Sequence, residues 1–99
     1  MKYKNPLHKR AKNTFSLEVI CGFCKTPVLI YEKGGKGNLI KIQSHRIVES
    51  EFELKNQKGH LGCPNCNEIL ANRGIYNNRV TYFVIRGRVN TRKLSNYTF

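Results

Sequence analysis

Phe15, Leu17 and Val19 alternate with Ser16, Glu18 and Ile20 as the chain runs toward Cys21, the period of two that marks a strand with one covered face. Val28, Leu29, Ile30 and Tyr31 follow as a continuous β-prone run, so the two segments read as a hairpin with Cys21 and Cys24 at its tip. Leu39, Ile40 and Ile42 suggest another strand. Ser50, Phe52 and Leu54 alternate with Glu49, Glu51 and Glu53, which predicts a half-buried strand with an acidic exposed face. Asn77-Asn78 tolerates the positive φ angles of a tight turn and predicts a hairpin joining Ile75-Tyr76 to residues 79–85. Gly34, Gly35, Lys36 and Gly37 read as a flexible hairpin tip; the spacing and following helix of a phosphate-binding loop are missing. No helical period persists, so the expectation is about six or seven short strands and an all-β fold.

That pattern leaves little to bury. With 99 residues, 39% of them hydrophobic and no Trp, the chain has material for one domain with a thin core. A staple is expected, and four cysteines are present to supply it. No apolar run has the length of a signal-peptide core or a membrane span, so a cytoplasmic location and no membrane partner are expected. Lasting disulfides are uncommon in that reducing compartment, which moves the balance toward metal.

Cys21 and Cys24 form one C-x2-C pair, Cys63 and Cys66 a second, with 38 residues between Cys24 and Cys63. Two intervening residues let one tight turn present both thiolates to the same ion, and two such turns complete the tetrahedral sulfur shell that Zn²⁺ accepts. Gly22 in the first pair and Pro64 with Asn65 in the second suit such turns. A redox dithiol and unligated thiols are the alternatives. The redox reading wants a helix starting at the first cysteine, whereas Cys24 runs into Lys25, Thr26, Pro27 and a β-rich segment. His60 lies three residues before Cys63 as a rival ligand, while His8 and His45 are far from either pair in sequence. Four thiolates would close the coordination shell to water, making one structural Zn²⁺ and leaving no metal-assisted hydrolysis. No nucleophile, base or carboxylate pair stands at catalytic spacing, so an enzyme is not expected.

Two C-x2-C knuckles with β-rich connections resemble the zinc-ribbon class. The resemblance covers the pairs and their flanks, and it implies Cys21, Cys24, Cys63 and Cys66 as zinc ligands. Residues 31–61 are longer than a minimal ribbon allows, which admits a β-tent-like variant with extra strands beside the ribbon. On this reading residues 1–13 are a basic N-terminal arm, 14–90 the zinc-ribbon β domain and 91–99 a C-terminal tail, with the termini partly flexible.

Charge adds a partner to the picture. The net charge is +12. Lys2, Lys4, Lys9, Arg10 and Lys12 stand near one end, and Arg73, Arg79, Arg86, Arg88, Arg92 and Lys93 toward the other, both without an acid; all six acids fall between. Such ends suit a polyanion, binding phosphates with salt-sensitive, sequence-tolerant affinity. If residues 80–88 are extended, Tyr82, Arg86 and Arg88 share a face on which a base can stack while guanidiniums hold phosphates. Nucleic acid is therefore expected as partner, RNA in preference to DNA because no recognition helix is apparent, within a larger protein or ribonucleoprotein assembly. The alternative is a zinc-scaffolded protein-interaction module using the Glu49, Glu51 and Glu53 face.

Overall fold

A computed structural model describes residues 1–57 and 59–94. Among them the chain forms β1 (Tyr3–Lys4), β2 (Thr14–Cys21), β3 (Pro27–Gly34), β4 (Lys41–Gln43), β5 (Ile47–Ser50), β6 (His60–Gly62), β7 (Ile69–Tyr76), β8 (Arg79–Val84) and β9 (Val89–Leu94). The alternation beginning at Phe15 is realised in β2, where Leu17, Val19 and Cys21 are buried. The strands make two antiparallel sheets, one ordered β1-β5-β3-β2-β9 and the other β4-β8-β7-β6. The fold is all-β, as the periodicity predicts, and its only helical elements among the described residues are two 3₁₀ turns, Ser44–Arg46 and Leu54–Asn56.

Local chemistry accounts for the turns. Asn77 and Asn78 join β7 to β8 with φ of 51° and 62°, a two-residue turn with both centres left-handed, as their side chains permit. The glycines after β3 do something other than cap a hairpin. β3 pairs with β2 and β5, whereas β4 pairs with β8, so the loop carries the chain from one sheet to the other. Gly35 and Gly37 supply positive φ for that crossing. The strand expected to continue through Leu54 ends at Ser50: Ser50 and Phe52 are buried, but the chain then bends into a 3₁₀ turn.

One apolar cluster lies between the sheets. Val19, Leu29, Tyr31 and Ile47 of the five-stranded sheet meet Ile42, Leu61, Leu70, Ala71 and Tyr82 of the four-stranded one. The Gln43 N–H donates to the Tyr31 hydroxyl at 3.0 Å, a bond that crosses between sheets. The Tyr82 hydroxyl donates to the Gln57 carbonyl at 3.0 Å, so both buried phenols are satisfied. Burial also holds the Tyr31 and Tyr82 hydroxyls above their ordinary pKa.

The basic N-terminal segment is not a free arm. Tyr3 and Lys4 pair with Ser50 and Glu49, and Asn5 Nδ2 donates to the carbonyls of Ser44 at 2.8 Å and Ile47 at 2.7 Å. Farther on, the Ala11 N–H donates to Glu32 Oε1 at 2.7 Å, and His8 Nε2 lies 3.5 Å from Glu32 Oε2. Glu32 is 1% exposed, so its carboxylate depends on these partners. Nor is a tail distinct from residue 91 onward, because residues 91–94 belong to β9 and pair with β2. The remainder of that expected tail, residues 95–99, lies outside the described residues.

Leu61 is fully buried and joins the four-stranded sheet to the core. Leu61→Ala is expected to cost about 2–5 kcal/mol of unfolding free energy in the metal-loaded protein, against about 0.5 kcal/mol or less for exposed Ile75→Ala, by urea titration followed by circular dichroism.

Candidate metal centre and basic surfaces

The two cysteine pairs are built alike. The first caps the β2–β3 hairpin, where the Cys21 N–H donates to the Thr26 carbonyl at 2.9 Å and the Lys25 N–H to the Cys21 carbonyl at 3.0 Å. The second caps β6–β7 with the equivalent bonds, Cys63 N–H to Glu68 carbonyl at 2.9 Å and Asn67 N–H to Cys63 carbonyl at 3.0 Å. Lys25 and Asn67, each one residue past the second cysteine, share a left-handed φ of 63° and 65°. Each turn therefore holds its two sulfurs on one side. Gly22 also lets another segment close on the first turn: its N–H donates to the Arg88 carbonyl at 2.8 Å, and a Cβ there would stand 2.8 Å from that oxygen.

One knuckle comes from each sheet, and the four sulfurs converge. All four Sγ atoms lie within 4.8 Å of one another, with Cys21 to Cys66 at 3.7 Å and Cys24 to Cys63 at 3.5 Å. Sulfurs at about 2.3 Å from a tetrahedral zinc stand about 3.8 Å apart, so the cluster has the dimensions of a Zn(Cys)4 shell. The four cysteines can thus coordinate one zinc ion, which would supply a structural cross-link between the sheets. His60 is exposed and is not a member of the group.

The thiols prepare unequally for that role. The Thr26 hydroxyl, 3.2 Å from Cys24 Sγ, and then the Asn65 side chain pull Cys24 down to about 5. Burial pushes Cys63 up. At Cys66 the Glu68 backbone N–H is the largest single influence and favours the thiolate, but burial and the neighbouring sulfurs outweigh it and push the thiol up to about 12. Near neutral pH, the metal-free cluster therefore holds protons that a zinc ion must displace.

Around this centre the charges are divided. Five of the six acids are engaged: Glu18 with Arg92 at 3.1 Å, Glu32 with His8, Glu49 with the Met1 amino group at 3.4 Å, Glu53 with Lys55 at 3.1 Å, and Glu51 with the Lys2 N–H at 3.3 Å. None of β4, β6, β7 and β8 contains an acid, while they carry Lys41, Arg73 and Arg79. Those three make no ion pair among the described residues. The field reaches inward as well: burial first, then Arg79, Arg46 and Lys9, hold the His45 imidazole below its ordinary pKa.

The expected binding residues fall in several places. Lys2, Lys4, Lys9, Arg10 and Lys12 are exposed along the packed N-terminal segment. Arg92 is paired with Glu18, Lys93 stands 4.8 Å from the Phe15 ring centroid, Arg86 is exposed, and Arg88 donates to the Ile69 carbonyl at 3.0 Å. Tyr82 cannot stack a base. It is 3% exposed, with its register partner Ile42 also in the core. β8 ends at Val84 and Gly87, φ 84°, turns the chain, so Arg86 and Arg88 do not continue its face. The exposed aromatics of this sheet are instead Phe83 and Tyr76. The same alternation pointed to Phe83 with the phase reversed.

Comparison with family models, with curated proteins and with solved structures found no match to this chain. No helix among the described residues is long and apolar enough to cross a membrane.

Because Cys66 and Cys63 are raised, zinc uptake at neutral pH releases protons, and affinity rises with pH and falls on acidification. Competition with a chromophoric chelator is expected to show one zinc per chain and an apparent Kd tightening by roughly tenfold or more per pH unit between mildly acidic and neutral conditions. Cys63→Ser is expected to weaken zinc binding strongly in the same assay.

Proposed function

We propose that this chain is a cytoplasmic zinc-ribbon protein of the β-tent-like kind that binds nucleic acid, RNA in preference to DNA, as part of a larger ribonucleoprotein assembly, and that it is not an enzyme. The observation that carries the reading is the division of charge. Five of the six acids are held by internal partners, while the strands of the four-stranded sheet carry cations and no acid. A surface of that kind lowers its free energy by neutralising phosphates and releasing their counterions. Two alike knuckles, one per sheet, support the zinc-ribbon reading, and a fully thiolate shell leaves no open position at which a metal would activate water. RNA is favoured because the described residues offer no helix for a DNA major groove, only sheets and 3₁₀ turns.

Titrating the zinc-loaded protein into labelled single-stranded RNA, single-stranded DNA and duplex DNA at increasing salt tests this. Binding is expected to be tightest for single-stranded RNA, with log K falling linearly against log salt at a slope of about −0.7 per phosphate contact. Absence of binding to all three at low salt would overturn the reading.

A further inference from the structure

We infer that the outer face of the four-stranded sheet is a base-stacking platform for single-stranded nucleic acid, with Phe83 and Tyr76 as the stacking rings and Lys41 and Arg79 as the phosphate contacts; this rests on the nucleic-acid reading above. Register places these side chains together. Lys41 in β4 is opposite Phe83 in β8, and Phe83 is opposite Asn72 in β7. Tyr76 and Arg79 are partners farther along the same hairpin. Partners in an antiparallel ladder share a face, and positions two apart along a strand return to it, so Lys41, Phe83, Asn72, Arg79 and Tyr76 all belong to one surface. The alternate positions Ile42, Tyr82 and Ala71 go to the core, whereas Phe83, Asn72, Tyr76 and Arg79 are exposed; on their face Thr81, between Phe83 and Arg79, is fully buried.

Its aromatic rings are available. Phe83 and Tyr76 are each 37% exposed, whereas Tyr82 on the same sheet is packed away. Phe83 lies against Gly74: a Cβ at Gly74 would stand 2.7 Å from its ring. The missing side chain gives the ring room to lie over the strand instead of beside a neighbour. Tyr76 sits four residues along β7 from the position opposite Phe83, about 13 Å at strand rise, so the two rings suit non-adjacent bases. The Lys41 Nζ stands over one face of the Tyr76 ring, 4.0 Å from its centroid, so a base stacks on that face only as the ammonium swings aside, where it can meet a phosphate. With no acid in any of the four strands, nothing on them repels a polyanion. A duplex hides its base faces in the stack, so rings of this kind favour single strands.

The test uses full-length, zinc-loaded variants with fluorescence anisotropy on oligouridylate, the matching oligodeoxynucleotide and duplex RNA. Phe83→Ala and Tyr76→Ala are each expected to weaken binding to the single strands by roughly 5- to 150-fold, the range for loss of one stacked base, with the salt slope unchanged. Phe83→Trp is expected to retain affinity. Lys41→Gln and Arg79→Gln are each expected to flatten the salt slope by about one contact. Ile75→Ala, which removes an exposed apolar side chain from the opposite parity of β7, is expected to have no effect. Unchanged zinc content and thermal unfolding identify the losses as local. If the parent protein binds but the ring variants bind equally well, the platform is overturned while the nucleic-acid reading stands; if the parent binds none of the probes, both fall. Equal binding to duplex and single strands also overturns the platform.

Discussion

Four thiols brought within van der Waals reach of one another are the constraint on which the rest of this structure depends. Two come from the β2–β3 turn and two from the β6–β7 turn, so a shared ion would fasten one sheet to the other at a single point. The apolar core alone is small for that task. Closing the 38-residue connection between the knuckles costs about 3 kcal/mol in chain entropy before any length-independent contribution. A structural zinc site contributes about 10–16 kcal/mol of apparent binding energy, enough to outweigh that cost and to rival the whole stability of a domain this size. With zinc in the site, metal binding and folding would be one equilibrium.

Once the sheets are fastened, they divide the electrostatic labour. Five of the six acids lie in or beside the five-stranded sheet and are settled internally, down to a carboxylate at Glu32 that is buried and supported by the Ala11 N–H and His8; the sixth, Glu68, is exposed in the β6–β7 turn. That support is what turns the first residues from a loose extension into part of the fold. The four-stranded sheet carries the opposite arrangement, cations and exposed rings with no acid among them. The two sheets of one small molecule thus differ in the charge their strands carry.

Much of this was legible in the sequence where the chemistry is local. The C-x2-C spacing announced both knuckles, and Asn77-Asn78 announced a hairpin turn, because each depends on a few neighbouring atoms. The phase of β8 was not legible. Alternation separates Tyr82 from Phe83 but does not say which side meets the core; that is settled by Ile42, which arrives from a strand far away in sequence. The ends of the chain were misread for a related reason. Lys4 and Lys93 look like members of solvated tails, yet their segments complete a sheet through backbone bonds to β5 and β2 that leave no mark on hydropathy.

The placement of one knuckle in each sheet has a consequence for synthesis. At roughly 5–20 residues per second, a ribosome takes about two to eight seconds to add the 38 residues that follow Cys24 before it reaches Cys63. For that interval the first pair of sulfurs has been made and its counterpart has not. Any nearby thiolate, including the same pair on an adjacent nascent chain, would compete to complete the shell of an ion bound there. The order of synthesis thus sets the order in which the two halves of a shared site would become available to a metal.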